Sequence, residues 1–176
     1  MYIESRYNRG IKDTLAQVAV LQSPEVGETV FCKENGRVLT FDGDLWMCDD
    51  FIKSINGTNT TRSQGDTMIY YLGPGTTPSV VLPTYTGEGL FAGIVAFPAG
   101  PNAPVALAYK GIYKVNVSYW AQVPTRIGYF LRTTSIGQGR SEMAITYSTG
   151  VYGWTLEVPS AYGLVKSLIR GKVELN

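Results

Sequence analysis

The chain contains no histidine, and that absence closes several functional classes at once. A Ser-His-Asp or Cys-His nucleophile system cannot be assembled, nor can a histidine general base. A mixed Cys/His zinc site is excluded for the same reason. Only two cysteines are present, Cys32 and Cys48, and they do not form a C-x-x-C pair. A small secreted disulfide scaffold would carry more, so both read as small buried apolar residues. Neither has the electropositive neighbours that would activate a thiolate. Charge is also scarce: 16% of residues are charged, against roughly 25% in ordinary globular chains. The net charge of +1 provides no field to draw in nucleic acid or an anionic membrane. No Lys/Arg cluster is interleaved with aromatics, and no direct nucleic-acid or membrane partner is expected.

Long hydrophobic runs are missing in any form that could span a bilayer. Residues 89–109 carry no charge, but they contain Pro98, Pro101, Pro104, Asn102 and three glycines, which no spanning helix accommodates together. Met1 to Asn8 has no apolar stretch of signal-peptide length. The protein is therefore expected to be soluble.

What is present is glycine (20), proline (9) and tyrosine (12) in a chain of 176 residues. That length suffices to bury roughly 70% of the unfolded surface without staples. The mixture suits short strands joined by tight turns. Helical spacing occurs once, at Ile11, Leu15, Val18 and Ala19. With Gly10 and the β-branched Val18 and Val20 beside it, this is a weak helix or an extended arm. Residues 1–21 are accordingly set apart as an N-terminal arm. Its polar residues suggest ordering against a neighbour and not burial in its own core.

Thr29 to Lys33 and Arg37 to Phe41 flank Glu34-Asn35-Gly36, a hairpin signal of the type I′ kind. Residues 52–66 are polar and turn-rich, and are expected to form an exposed loop. From Val105 to Tyr119 apolar and polar residues alternate over fifteen positions, which predicts one long half-buried strand bent at Gly111. Val105, Leu107, Tyr113 and Val115 should face inward, and Lys110 and Lys114 outward. The C-terminus repeats this alternation through Val165, Ile169, Val173 and Leu175, with Lys166, Arg170, Lys172 and Glu174 opposite.

An internal repeat follows at an offset of sixty: Lys110-Gly111 on Arg170-Gly171, Gly93 on Gly153, Val105 on Val165. Upstream, Gln22-Ser23-Pro24 and Gly27 match Gln122-Val123-Pro124 and Gly128. The expected fold is therefore all-β, an antiparallel barrel or sandwich of two pseudo-repeated units with an N-terminal arm. The boundaries are 1–21 for the arm, 22–120 for a first unit with a long insert at 43–88, and 121–176 for a second unit.

Two further patterns carry no chemistry. Gly87-Glu88-Gly89-Leu90-Phe91-Ala92 fits a G-x-G-x-x-G/A fingerprint, but Pro98 forbids the long helix a dinucleotide site needs. Asp42, Asp44, Asp49 and Asp50 are too irregularly spaced for a calcium loop. They read as a turn and a solvated edge. No catalytic residue, metal or cofactor is assigned, and the chain reads as a non-enzyme.

The order Gly89-Leu90-Phe91-Ala92-Gly93-Ile94-Val95, then Val105 to Val117, Trp120-Ala121-Gln122, Gly150-Val151-Tyr152-Gly153-Trp154 and Gly171-Lys172-Val173-Glu174-Leu175-Asn176 resembles the small β-rich capsid decoration (cement) proteins of tailed bacteriophages. The resemblance covers residues 89–176 and, more loosely, 22–41. Where that family shows Gly-Asp after Trp-Ala-Gln, this chain has Val123-Pro124-Thr125. The resemblance implies a virion protein made in the bacterial cytoplasm and bound to the capsid exterior. Its partner would be the major capsid protein, and it would be a homo-oligomer, with a trimer favoured. A head-fibre, tail-fibre or receptor-binding module is the alternative, with the 52–66 loop as a tip. Arg6, Arg9 and Lys12 of the arm are the candidate capsid contacts.

Overall fold

A computed structural model of the chain describes residues 8–71, 79–81, 91–118, 126–133, 139–145, 150–159 and 163–170. The fold is all-β, with a single short helix among the described residues. The strands group into a four-stranded sheet followed by two closed five-stranded barrels.

The N-terminal sheet holds β1 (Asn8–Lys12), β2 (Thr29–Cys32), β3 (Arg37–Phe41) and β4 (Trp46–Met47) in that order, with α1 (Leu15–Ala19) between β1 and β2. Strand β1 runs parallel to β2, opposing Ile11 to Phe31 and Lys12 to Cys32. Helix α1 exists because its first turn is capped twice over. The Thr14 hydroxyl accepts from the Gln17 backbone N–H, while the Gln17 side chain accepts from the Asp13 and Thr14 N–H groups. The Leu15 N–H donates to Glu34 Oε2 at 2.8 Å, so the β2–β3 hairpin satisfies a further helix donor.

These contacts correct the arm reading. Leu15 and Val18 are buried together with Val30, Cys32, Leu39 and Trp46 in the chain's own core. Polar composition misled because only two of the segment's side chains need to be apolar to anchor a single helical turn. The hairpin forms where expected, but its loop spans Lys33 to Gly36. Gly36 alone takes a positive φ, and its N–H donates to Cys32 O. Asn35 does not, so the turn is a four-residue loop and not type I′.

The first barrel consists of β5 (Phe51–Asn56), β6 (Thr67–Tyr71), β7 (Ser79–Val81), β8 (Phe91–Val95) and β9 (Pro104–Ala108). The second consists of β10 (Gly111–Ser118), β11 (Phe130–Thr133), β12 (Ser141–Ala144), β13 (Val151–Thr155) and β14 (Gly163–Ile169). Their pairing schemes are the same. The first strand meets the third in parallel and the fifth antiparallel; the second meets the third and fourth; the fourth meets the fifth. A register shift falls at the same place in both, after Met68 opposite Gly93 and after Leu131 opposite Gly153. The equivalence of Gly93 with Gly153 and of Val105 with Val165 read from the sequence therefore holds.

The unit boundaries differ from those expected. The alternating stretch from Val105 is two strands, not one, and they belong to different barrels. The break is at Tyr109-Lys110, ahead of Gly111 with φ +103°, so β10 joins the second barrel and the division does not fall at 120/121. Residues 51–81 supply three strands of the first barrel and are not an insert. Gly27 precedes a strand of the N-terminal sheet, so it is no counterpart of Gly128. That counterpart is Gly65: the Gly65 N–H donates to Val95 O at 2.9 Å, and the Gly128 N–H to Thr155 O at 3.0 Å. The Gln122 to Pro124 half of that match and Gly171 lie outside the described residues.

The inward faces are those expected: Val105, Leu107, Tyr113, Val115, Val165 and Ile169 are buried, while Lys110, Lys114, Lys166 and Arg170 are exposed. Val173, Leu175, Lys172 and Glu174 lie outside the described residues. On β9 the second face is buried as well. Ala106 and Ala108, with Ile94 and Ala96, join the cluster that contains Leu15, Val30, Leu39 and Trp46. Alternation predicts one buried face; here the other is buried too, in the core cluster that the barrels share with the N-terminal sheet.

Candidate functional site

Two polar clusters hold the three parts of the molecule together. The first surrounds Asp50, 1% exposed, just before β5. Arg37 of β3 grips it in a fork, with Nε 2.6 Å from Oδ2 and Nη2 3.3 Å from Oδ1. The Tyr113 hydroxyl of β10 donates to Asp50 Oδ2 at 3.3 Å, and Asn35 Nδ2 donates to that hydroxyl at 3.3 Å. The Tyr109 N–H donates to Asp50 O, and the Tyr109 hydroxyl to Asp49 O. One carboxylate thus ties the N-terminal sheet to the start of both barrels. Burial pushes the Tyr113 phenol well above its ordinary value and raises the Cys48 thiol beside it. Gly111 is required here, because a Cβ would stand 2.9 Å from Asp50 Oδ2 and 3.0 Å from the Tyr113 ring.

The second cluster joins barrel to barrel. The turn Gly65-Asp66-Thr67 rests on β10 and the start of β12: the Asn116 N–H donates to Gly65 O at 2.9 Å, and the Thr67 N–H to Gly139 O at 2.7 Å. Asp66 accepts from the Ser63 N–H and from Asn116 Nδ2. Burial raises its carboxyl above the ordinary aspartate value; these hydrogen bonds, Arg62 and Arg140 pull the other way without prevailing. The hydroxyls of Thr67, Ser141 and Tyr152 share hydrogen bonds in the interior of the joint. Burial pushes the Tyr152 phenol up to about 12. Its ring stacks on Phe91 at 4.0 Å between centroids with 6° between planes.

These polar groups are matched to one another, as buried polar groups must be. They make a joint between the parts of the molecule. Sequence reading did not find them, since Thr67, Ser141 and Tyr152 sit in three different strands and only tertiary structure brings them together.

The candidate capsid contacts do not converge. Arg6 lies outside the described residues. Arg9 is bound to its own chain, Nε to Glu28 Oε2 at 2.7 Å and Nη2 to Ser23 O at 3.0 Å. The Arg9 hydrogen bond holds the Glu28 carboxyl below its usual range. Lys12 is half-buried at the end of β1, the sheet edge.

The 52–66 segment is no free tip either. Residues up to Asn56 belong to β5. Fully buried Asn56 then pins the loop, its Nδ2 donating to Thr60 O, Ala99 O and Gly100 O. Arg62 is buried, with its N–H donating to Ala99 O. Three of the four clustered aspartates are spent on pairs: Asp50 with Arg37, and Asp42 and Asp44 with Lys53, whose Nζ lies 2.9 Å from Asp42 Oδ2 and 2.6 Å from Asp44 Oδ2. Among the described residues no group of three or more metal-ligating side chains comes together.

The described surface also exposes large apolar side chains. Ile11, Phe31 and Val38 are register neighbours across β1, β2 and β3, and all three are exposed on the outer face of the sheet. Ile127, Ile145, Leu156 and Val158 are exposed beside the second barrel.

No protein-family model matches the chain, and no curated protein matches it. Among solved structures it is similar to the N base of head fiber gp8.5 in bacteriophage phi29. The TM-score is 0.48 and the identity 14%, covering 71% of this chain and 99% of that one. At that score and identity the likeness carries no argument about function.

Proposed function

We propose that the chain is a structural protein of a bacteriophage virion, one that binds major capsid subunits on the outside of the shell and stabilises them. The observation that carries this reading is where the resemblance falls. The motifs shared with capsid decoration proteins within the described residues are β8, β9 with β10, and β13: the strands that build the duplicated barrels, with Gly93, Gly111 and Gly153 at their close approaches. The buried polar residues join barrel to barrel, and the chain as a whole is poor in charge, as suits a broad protein interface. Binding the assembled shell and not free subunits stabilises the shell by mass action. Strand β1, with Arg9 and Lys12, and Arg6 before it, is the segment proposed to meet the capsid from the sheet edge. No catalytic, metal or cofactor role is proposed.

The fibre alternative needs a projecting tip, and the pinning of residues 57–66 by Asn56 gives it less support. Copy number tests the choice. Purified virions should contain the chain in fixed ratio to the major capsid protein. Particles stripped of it should rebind the purified chain and withstand a higher temperature before releasing DNA. A chain present only at a vertex or tail, or unable to rebind stripped shells, would overturn the decoration reading.

A further inference from the structure

The net charge of +1 hides a segregation. Residues 1–50, which include the N-terminal sheet, hold 5 Lys/Arg against 9 Asp/Glu. Residues 51–109 hold 2 of each, and residues 110–176, with the second barrel, hold 8 Lys/Arg against 3 Asp/Glu. One part of the chain is therefore at −4 and another at +5.

The excess cations meet exposed apolar side chains at one rim of the second barrel. Ile127 precedes β11, Ile145 follows β12, and Leu156 and Val158 follow β13. Because β11 is antiparallel to both β12 and β13, all four stand at the same end. All four are exposed, Ile127 and Ile145 at 61% and 63%. Arg126, next to Ile127, lies over the Tyr129 ring, 5.6 Å from its centroid. The Leu156 N–H donates to Lys166 O at 2.8 Å, and Lys166 stands directly opposite Lys114 across β10 and β14. Like charges so placed repel. Glu34 reaches Lys114, at 3.5 Å, but among the described residues neither Lys166 nor Arg126 forms an ion pair. The rim carries one acid, Glu157, whose Oε1 accepts from the Lys166 backbone N–H.

The opposite combination occurs at one end of the N-terminal sheet. The start of β2, the end of β3 and the start of β4 come together there, since these neighbours are antiparallel. Val26, 68% exposed, lies against the turn Asp42-Gly43-Asp44: its Cγ2 would be 3.4 Å from a Cβ on Gly43. Glu25 is exposed beside it, and Asp42 and Asp44 share the one ammonium of Lys53. This end thus joins an exposed apolar side chain to excess negative charge.

We propose that the apolar, cationic rim of the second barrel docks on the Val26 end of the sheet of a second copy. Complementary charge selects that occupant. Rim on rim would set Arg126 and Lys166 against like charges, and sheet end on sheet end would do the same with Glu25, Asp42 and Asp44. Each surface rejects its own kind and fits the other. The contact uses different faces of the two partners, so association continues into rings or filaments and does not stop at a two-fold pair. It goes beyond the virion role and needs no shell.

Sedimentation velocity over a concentration series tests it. Wild type should associate at about 0.01 M salt and much less at about 1 M, where the screening length falls from about 30 Å to about 3 Å. Arg126→Glu should weaken low-salt association by about tenfold, and Glu25→Arg should weaken it too. The double variant should associate more tightly than Arg126→Glu alone, because the reversed charges again face opposite signs. Lys110→Glu changes the net charge as much as Arg126→Glu does, but ahead of β10, at the other end of the second barrel. It should leave association unchanged. All three positions are exposed, so every variant should keep the wild-type circular dichroism spectrum. A wild type monomeric at low salt, or association indifferent to salt or to the two charge reversals, would overturn the proposal. So would an equal loss in Lys110→Glu, or a double variant no tighter than Arg126→Glu.

Discussion

Gly93 and Gly153 lie at equivalent places, beside the register shift of each barrel, and the chain passes so near them that no side chain fits. A Cβ on Gly93 would stand 2.8 Å from Leu107 Cβ and 3.0 Å from Ala108 O, and one on Gly153 would meet the Leu168 carbonyl. Gly→Ala at either site should therefore lower stability by about 1–3 kcal/mol, as overpacking does, read as a lower urea midpoint. If one site tolerated alanine and the other did not, the two positions would not be equivalent. Asp66 supplies a pH signature. Its native carboxyl lies above the ordinary 3.8 because it is buried, so the native state holds the proton more tightly than the unfolded chain. Its contribution is most favourable at low pH and is lost as pH rises from 3.8 through the raised native value. Glu28 and Asp42 act oppositely: their native values are lowered, and their stabilisation is lost on acidification. Asp66→Asn removes only the first effect. Its stability relative to wild type should rise between about pH 3.5 and 7, and a difference in urea midpoints that stays flat over that range would falsify the assignment.

At the scale of elements, the N-terminal helix and sheet behave as part of the body. Leu15 is 1% exposed on α1 and packs with the strands behind it, so Leu15→Ala should cost about 2–5 kcal/mol. Val20, one residue past the helix and 68% exposed, should tolerate alanine within about 0.5 kcal/mol. Thermal melts of the two variants separate a docked helix from a loose arm, for which both changes would be silent. Strand β1 is different, an edge strand with Gly10 at φ +76° and a register irregularity between Asn8 and Ile11. Removing residues 1–12 should leave both barrels folded by circular dichroism while weakening rebinding to stripped particles. Equal occupancy after the deletion would count against that edge as the capsid contact.

For the whole molecule, the joints at Asp50 and at Thr67, Ser141 and Tyr152 predict that sheet and barrels melt as one. The van't Hoff and calorimetric enthalpies should agree in wild type. Tyr152→Phe keeps the stack on Phe91 and loses only the hydroxyl, for about 1 kcal/mol. Tyr152→Ala also removes the ring and should cost about 3–5 kcal/mol, still in one transition, because the Gly65 and Thr67 backbone bonds to the second barrel remain. A split calorimetric transition in Tyr152→Ala would show that this side chain alone couples the barrels.

The all-β class, the inward faces of β10 and β14, and the equivalence of Gly93 with Gly153 were determined by local sequence. Period-two alternation and close-approach glycines are set by backbone sterics, whatever surrounds them. Where one barrel ends and the next begins was decided only in three dimensions. The alternation runs unbroken through Tyr109-Lys110, because both strands obey the same period while pairing with different partners. The same holds for Leu15 and Val18, whose burial depends on the sheet folded behind them. It holds equally for Ala106 and Ala108, on the face opposite Val105 and Leu107 and yet buried in the core cluster shared with the N-terminal sheet. Asp50, Asp66, Thr67, Ser141 and Tyr152 carry no spacing signal at all, since a polar joint is defined by partners far apart in the chain. Burial of a polar side chain is a property of what packs over it, and only the tertiary structure supplies that.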